Sequence, residues 1–337
     1  MALLEKEFKL IKELTSLNSI SGYEGDVRKY LKEKYKSYGC SIIHDTLGGV
    51  FALKRSSDEN AFTVLLDAHM DEVGFLTADK NEDGTINLLP VGGIVASKII
   101  DAPLKIKIDK GFVGAKFISD ENNEKFMAKL DEDIDVGFAK EVYFDQELTQ
   151  IGENRYIAKA YDDRYGLALG LEILEHFKDK DLPFNLVVGG STQEEVGLRG
   201  ATTLLDLIHV ELAIVLDCST ANNEDKGFGI LDKGVLIRYF DRGMVAFKEL
   251  LDLQIETCEK AKAPYQYFAT MGGTNAGVIH KAKSGILTLT HCVCGKNIHT
   301  NKTEFSSIDY QAAKKSLIQL LSDLDNKVMD NLWSERR

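Results

Sequence analysis

A chain of 337 residues, 44% hydrophobic and 28% charged, has the composition of a folded protein with a large core and room for a second module, which excludes a disordered or low-complexity chain. Its net charge of -12 counts against nucleic acid or an anionic membrane as partner, because phosphate binding needs clustered Lys and Arg. No apolar run is long enough to span a bilayer and the first eight residues mix charges into their apolar positions, so a cytoplasmic protein is expected.

In chain order, Leu4, Phe8, Ile11 and Leu14 recur at helical spacing. Ser21-Gly22-Tyr23-Glu24 then has the capping-box pattern ahead of a second helix carrying Val27, Leu31 and Tyr35. Short runs rich in Val, Ile and Leu at 63–66, 185–188, 212–216 and 286–289 predict buried strands. Helical periodicity covers 166–177, 244–262 and 308–329. Residues 74–158 read differently, as short alternating stretches broken by Asp83-Gly84, Gly92-Gly93, Lys110-Gly111 and Gly152, with helical spacing only over 126–134. The expected architecture is therefore α/β, a mixed sheet with helices on both faces. It is built from residues 1–73 and 158–337, with a small β-rich domain inserted at 74–157. Five scattered cysteines, Cys40, Cys218, Cys258, Cys292 and Cys294, lack the spacing of a zinc or redox pair and are expected as reduced, mostly buried thiols.

Glu194 and Glu195 follow the apolar run Leu186-Val187-Val188. Two adjacent carboxylates at the end of a buried strand repel each other and lose hydration, so a metal ion is the usual compensation. His69 and Asp71 follow another predicted strand and, two residues apart in extended backbone, face the same way. His69 is then a candidate metal ligand whose second ring nitrogen donates to Asp71. Asp162 and Asp163 precede a helix, Asp217 ends a strand and His299 comes shortly after one. Taken singly, each has a structural explanation: a helix cap, a solvated turn or a core histidine. Taken together, the ordered set of His, Asp, Glu-Glu, Asp and His makes a two-metal site. Nitrogen and carboxylate donors without cysteine suit catalytic zinc, cobalt or manganese. His44, His176, His209, His280 and His291 lack acidic company in sequence and are expected to be structural or on the surface.

The motifs 67–75 (Asp67-Ala68-His69-Met70-Asp71-Glu72-Val73-Gly74-Phe75), 160–166, 192–197 and Ile298-His299-Thr300 together resemble the M42 family of metallo-aminopeptidases, in family order and over nearly the whole chain. The resemblance implies His69 and Asp217 on different metals, Asp162 bridging both, Glu195 beside one, His299 completing the other and Glu194 as general base. It implies a β-barrel or PDZ-like insertion used for oligomerisation, and dimers assembled into a tetrahedral dodecamer. Asn275 stands where the family carries Asp, and Lys296-Asn297 where it carries Arg-Tyr, so these positions are expected to affect substrate binding. The expected activity is removal of the N-terminal residue from short peptides. Two alternatives remain open: a metal-dependent amidase or deacylase of N-acyl amino acids, and a weakly active or inactive assembly protein of the same fold. A glycosidase reading leaves His69 and His299 without a role.

Overall fold

The computed structural model describes residues 2–222 and 229–334. The chain opens with α1 (Glu5–Ser16) and α2 (Gly25–Ser37), followed by β1 (Ser41–His44), β2 (Val50–Lys54) and β3 (Phe62–His69). Next come β4 (Gly74–Lys80), β5 (Ile86–Val91), β6 (Pro103–Ile108), β7 (Gly111–Ile118), β8 (Met127–Leu130) and β9 (Glu141–Phe144). After them run β10 (Thr149–Gln150), β11 (Arg155–Ala158), α3 (Tyr161–Phe177), β12 (Phe184–Ser191), β13 (Leu212–Thr220) and β14 (Val235–Phe240). The rest is α4 (Lys248–Lys260), β15 (Tyr265–Ala269), α5 (Ala276–Ile279), β16 (Leu287–Gly295), β17 (Thr303–Ser306), α6 (Ser307–Asp323) and α7 (Asn326–Ser334).

Eight strands form one mixed sheet in the order β1-β2-β12-β3-β13-β16-β14-β15, with β12, β3, β13 and β16 parallel to one another at its centre. Alternation along these strands feeds two cores. Val64 and Leu66 of β3, with Leu212, Ile214 and Leu216 of β13, pack under α1, α2, α3, α4 and α6. Their neighbours Leu65, Ala213 and Val215 face the opposite side, where α5 and the turn at Leu204–Leu205 cover them. This is the expected mixed sheet with helices.

Six antiparallel strands, β4-β5-β8-β7-β6-β9, close into a barrel with a core of its own. The pairing of β10 and β11 goes instead to β17. Phe75 is fully buried at the centre of the barrel, its ring 5.7 Å from Phe117, 6.0 Å from Phe126 and 5.8 Å from Phe144. Phe75→Ala is expected to destabilise the protein by about 3–5 kcal/mol through the lost transfer energy and the cavity left behind. Urea unfolding followed by circular dichroism measures it.

Three local expectations are corrected. Residues 126–134 contain β8 rather than a helix, since pairing with β5 and β7 overrides the helical spacing. The pattern over 308–329 is two helices, because Leu324 turns extended and the Asp325 carboxylate then accepts the amide of Val328 at 2.8 Å. Ser21 and Glu24 do not form a capping box: Glu24 is itself the residue before α2 and makes no side-chain cap, and the Ser21 hydroxyl donates elsewhere. Cys218, Cys258, Cys292 and Cys294 are buried free thiols, and Cys40 is half-buried. Among the described residues no helix is long and apolar enough to cross a membrane.

Candidate active site

The four central parallel strands end along one edge of the sheet, the carboxyl edge at which open α/β sheets bind ligands. His69 is the last residue of β3 and Asp217 lies in the last half of β13. Glu194 and Glu195 follow β12, and His299 follows β16. Asp162 comes from the first turn of α3, where it and Asp163 leave helical dihedrals. The two aspartates divide their work. Asp163 turns back to accept the amides of His69 at 3.1 Å and Gly166 at 3.0 Å. That approach needs glycine at 166, where a Cβ would meet both Asp163 oxygens at 2.7 Å and the Ala68 side chain at 2.8 Å. Asp162 is left pointing into the site.

Each Asp162 oxygen faces a different imidazole: Oδ1 is 3.2 Å from His69 Nε2, and Oδ2 is 3.4 Å from His299 Nε2. Both rings are held from behind by main-chain carbonyls. His69 Nδ1 donates to the carbonyl of Asp71 at 2.9 Å, and His299 Nδ1 to that of Gly93 at 2.9 Å. With Nδ1 engaged in this way, each ring directs its Nε2 at Asp162. The Asp71 carboxylate, expected to take the His69 proton, lies 3.5 Å from Nδ1 and accepts shorter bonds from the amides of Glu194 and Glu195 at 3.0 and 3.1 Å.

The donors fall into two groups that share Asp162: His69, Asp162 and Asp217, and Asp162, Glu195 and His299. His69 and Asp217 thus lie in one group, and Glu195 and His299 in the other, a different grouping from the one the resemblance implies. The cause is topological, since β3 and β13 are neighbours whose ends lie side by side. Burial dominates the electrostatics. It pushes Glu195 up to about 8, and together with the Asp162 charge it pushes Asp217 up to about 7. Glu194 is raised well above the usual carboxylate range, by burial first and then by Asp217 and Glu195. Burial works against the charged form of His299, yet Glu195 and Asp162 carry it up to about 10. Burial would also raise Asp162, but hydrogen bonds from His299 and His69 hold it at about 2. Such a cluster of buried carboxylates, whose anions lack a counter-charge, fits a site for cations. Glu195 Oε1, buried with no partner, fits it too.

A cavity of about 200 Å³ opens beside these groups, lined also by Ser219, Thr220, Arg238, Thr270 and Ile298. Glu194 lines it without belonging to either donor group. Asn275 does not line it. This residue is buried, donating at 2.8 Å to both Asp67 Oδ2 and Ser191 Oγ. Lys296 is likewise absent from the lining, its main chain paired with Glu304. Arg238 goes unnoticed in the sequence, although an arginine after Val235-Leu236-Ile237 is the signal that would find it. Gly93 contributes only a carbonyl, which has no sequence signature. Of the other histidines, His44, His176 and His209 are exposed, His280 bonds the carbonyl of Ala276, and buried His291 lies 3.0 Å from Ser316 Oγ.

Comparison with known proteins identifies the family and the fold. The family model described as M42 glutamyl aminopeptidase matches residues 48–315. The chain is 32% identical to a glutamyl aminopeptidase of Lactococcus lactis subsp. cremoris over 95% of its own length and 97% of that protein's. A TET aminopeptidase from a marine sediment thaumarchaeon has the same fold, with a TM-score of 0.90 at 24% identity over 97% of this chain and 100% of the other. So does the TET1 peptidase of Pyrococcus horikoshii, which can assemble into a tetrahedron or a large octahedral shell, with a TM-score of 0.83 at 22% identity over 94% and 100%.

Proposed function

Because the chain belongs to the M42 glutamyl aminopeptidase family and is thus a peptide hydrolase, we propose that it removes the N-terminal residue of short peptides with the help of two divalent metal ions. His69, Asp162 and Asp217 would hold one cation, and Asp162, Glu195 and His299 the other. This all-nitrogen-and-oxygen donor set suits zinc, with cobalt and manganese as alternatives. Bound there, the cations would polarise the scissile carbonyl and ease deprotonation of a water near neutral pH.

Glu194 is the cavity carboxylate outside both donor groups. It is therefore the group to take the proton of the attacking water and return it to the leaving amine as the C–N bond breaks. Asp71 holds the amides of Glu194 and Glu195, and so orients base and ligand together. The observation that carries the reading is a pair of donor groups sharing one carboxylate, with a further glutamate beside them.

Arg238 favours an acidic first residue. Its Nε donates to Asp241 at 2.9 Å, Nη1 to Ser219 at 2.8 Å and Nη2 to the Gly272 carbonyl at 2.7 Å. A guanidinium has five N–H donors, so one remains on each terminal nitrogen, a fork that matches a carboxylate. Asp241 also accepts the amides of Gly243 and Met244, each at 2.7 Å, so its charge is not spent on Arg238 alone. The barrel is the candidate contact between copies, giving a homo-oligomer built from dimers, up to a dodecamer. The horikoshii neighbour's assembly supports that reading.

An assay of aminoacyl p-nitroanilides and their N-acetylated counterparts, after loading with zinc, cobalt or manganese, tests the function. Cleavage restricted to free amines is expected, with Glu preferred over Lys by at least about 10-fold, the worth of one specific polar contact. Cleavage of the acetylated set alone would make the protein a deacylase. Silence on both sets with metal bound would favour the assembly-protein reading.

A further inference from the structure

We propose that the loop of residues 17–24, between α1 and α2, is the positioning element of the Glu194–Glu195 pair, acting through Glu24 and Ser21. The segment that carries the pair enters with Gln193 at a φ of 56°, outside any strand or helix. Its backbone is held by two carboxylates. Glu24 Oε1 accepts the amide of Gln193 at 3.2 Å, and the two Asp71 oxygens accept those of Glu194 and Glu195 at 3.0 and 3.1 Å. The Ser21 hydroxyl donates to Asp71 Oδ2 at 2.6 Å, which fixes the rotation of the carboxylate that spans the two glutamates. Ser21, Glu24 and Asp71 are all buried, so water does not substitute for these bonds.

The loop is itself anchored. Ser19 exchanges main-chain and side-chain bonds with Glu72, accepting its amide at 2.9 Å and donating its own to Oε1 at 3.0 Å. Glu72 is clamped by Lys159 at 2.8 Å and Arg164 at 3.3 Å, and Lys159 also donates to the Leu17 carbonyl at 2.8 Å. Glu24 Oε1 takes a second amide from Gly22 at 2.7 Å, which locks its side chain toward the loop. A first-helix hairpin far from the cavity in sequence thus sets the backbone of the cavity carboxylates.

A general base must sit within about 2.6–3.2 Å of the proton it takes, and a misplacement of about 1 Å costs on the order of 100-fold in rate. The inference rests on reading Glu194 as the base, so both are tested in one series. In metal-loaded full-length protein, Glu24→Ala and Ser21→Ala are expected to lower kcat about 10- to 100-fold, with KM unchanged. Glu24→Gln, which keeps the acceptor oxygen, and Ser21→Thr, which keeps the hydroxyl, are expected to restore kcat to within a few-fold of the parent. Folded alanine variants with parental kcat would overturn the proposal, as would loss of metal and a raised KM alongside kcat in both the alanine and the conservative variants. Glu194→Gln, run in parallel, separates the two ideas: if it retains turnover the base assignment fails, whatever the loop variants do.

Discussion

Glu194→Gln is expected to lose about 10²–10⁴-fold in kcat while binding as much metal as the parent. The substitution keeps the side chain's size and the backbone bond from residue 194 to Asp71. It removes the basic oxygen alone. Glu194 belongs to neither donor group, which is why metal content separates its role from that of Glu195. Burial and the neighbouring carboxylates already disfavour its charge, so the neutral amide does not strain the fold. Kinetics on the preferred aminoacyl p-nitroanilide, paired with elemental analysis, measures both quantities, and a kcat within a few-fold of the parent would remove Glu194 from the base role.

Asp162→Ala is expected to abolish activity and to take bound metal from about two ions to near none, because two-metal sites depend on the shared ligand. Asp162 is the one residue common to both donor groups, with one oxygen toward each imidazole. His69→Ala and His299→Ala, by contrast, each strip one group and are expected to leave about one ion bound. Native mass spectrometry counts the ions directly. Equal metal loss in all three variants would mean that the two groups fill only together, and full retention in Asp162→Ala would refute the bridging role.

The sequence showed most where burial leaves a compositional trace. The runs at 63–66, 185–188, 212–216 and 286–289 are apolar because their strands are covered on both faces, and the chemistry-bearing residues sit at or beyond their ends. The grouping of those residues was not legible, since it follows from which strands are neighbours: His69 and Asp217 meet because β3 lies beside β13. Asn275 and Lys296 are expected near substrate because they depart from the family pattern close in sequence to the site, but Asn275 at the start of α5 is tied to Asp67 and Lys296 pairs its main chain with Glu304. Ser21 and Glu24 carry the letters of a capping box. Their oxygens have better partners in the tertiary structure than in the helix they precede.

The bond from His299 Nδ1 to the carbonyl of Gly93 makes the inserted barrel something other than an exchangeable cassette. Gly93 lies between β5 and β6, so the module that interrupts the catalytic scaffold also aims one of its imidazoles. Grafting another domain between β3 and β11 would have to reproduce not only two closely spaced ends but an acceptor at that one point. Without it the ring would be free to turn over, and the scaffold would keep its shape while losing the aim of a donor. The insertion and its host are thus mutually dependent parts.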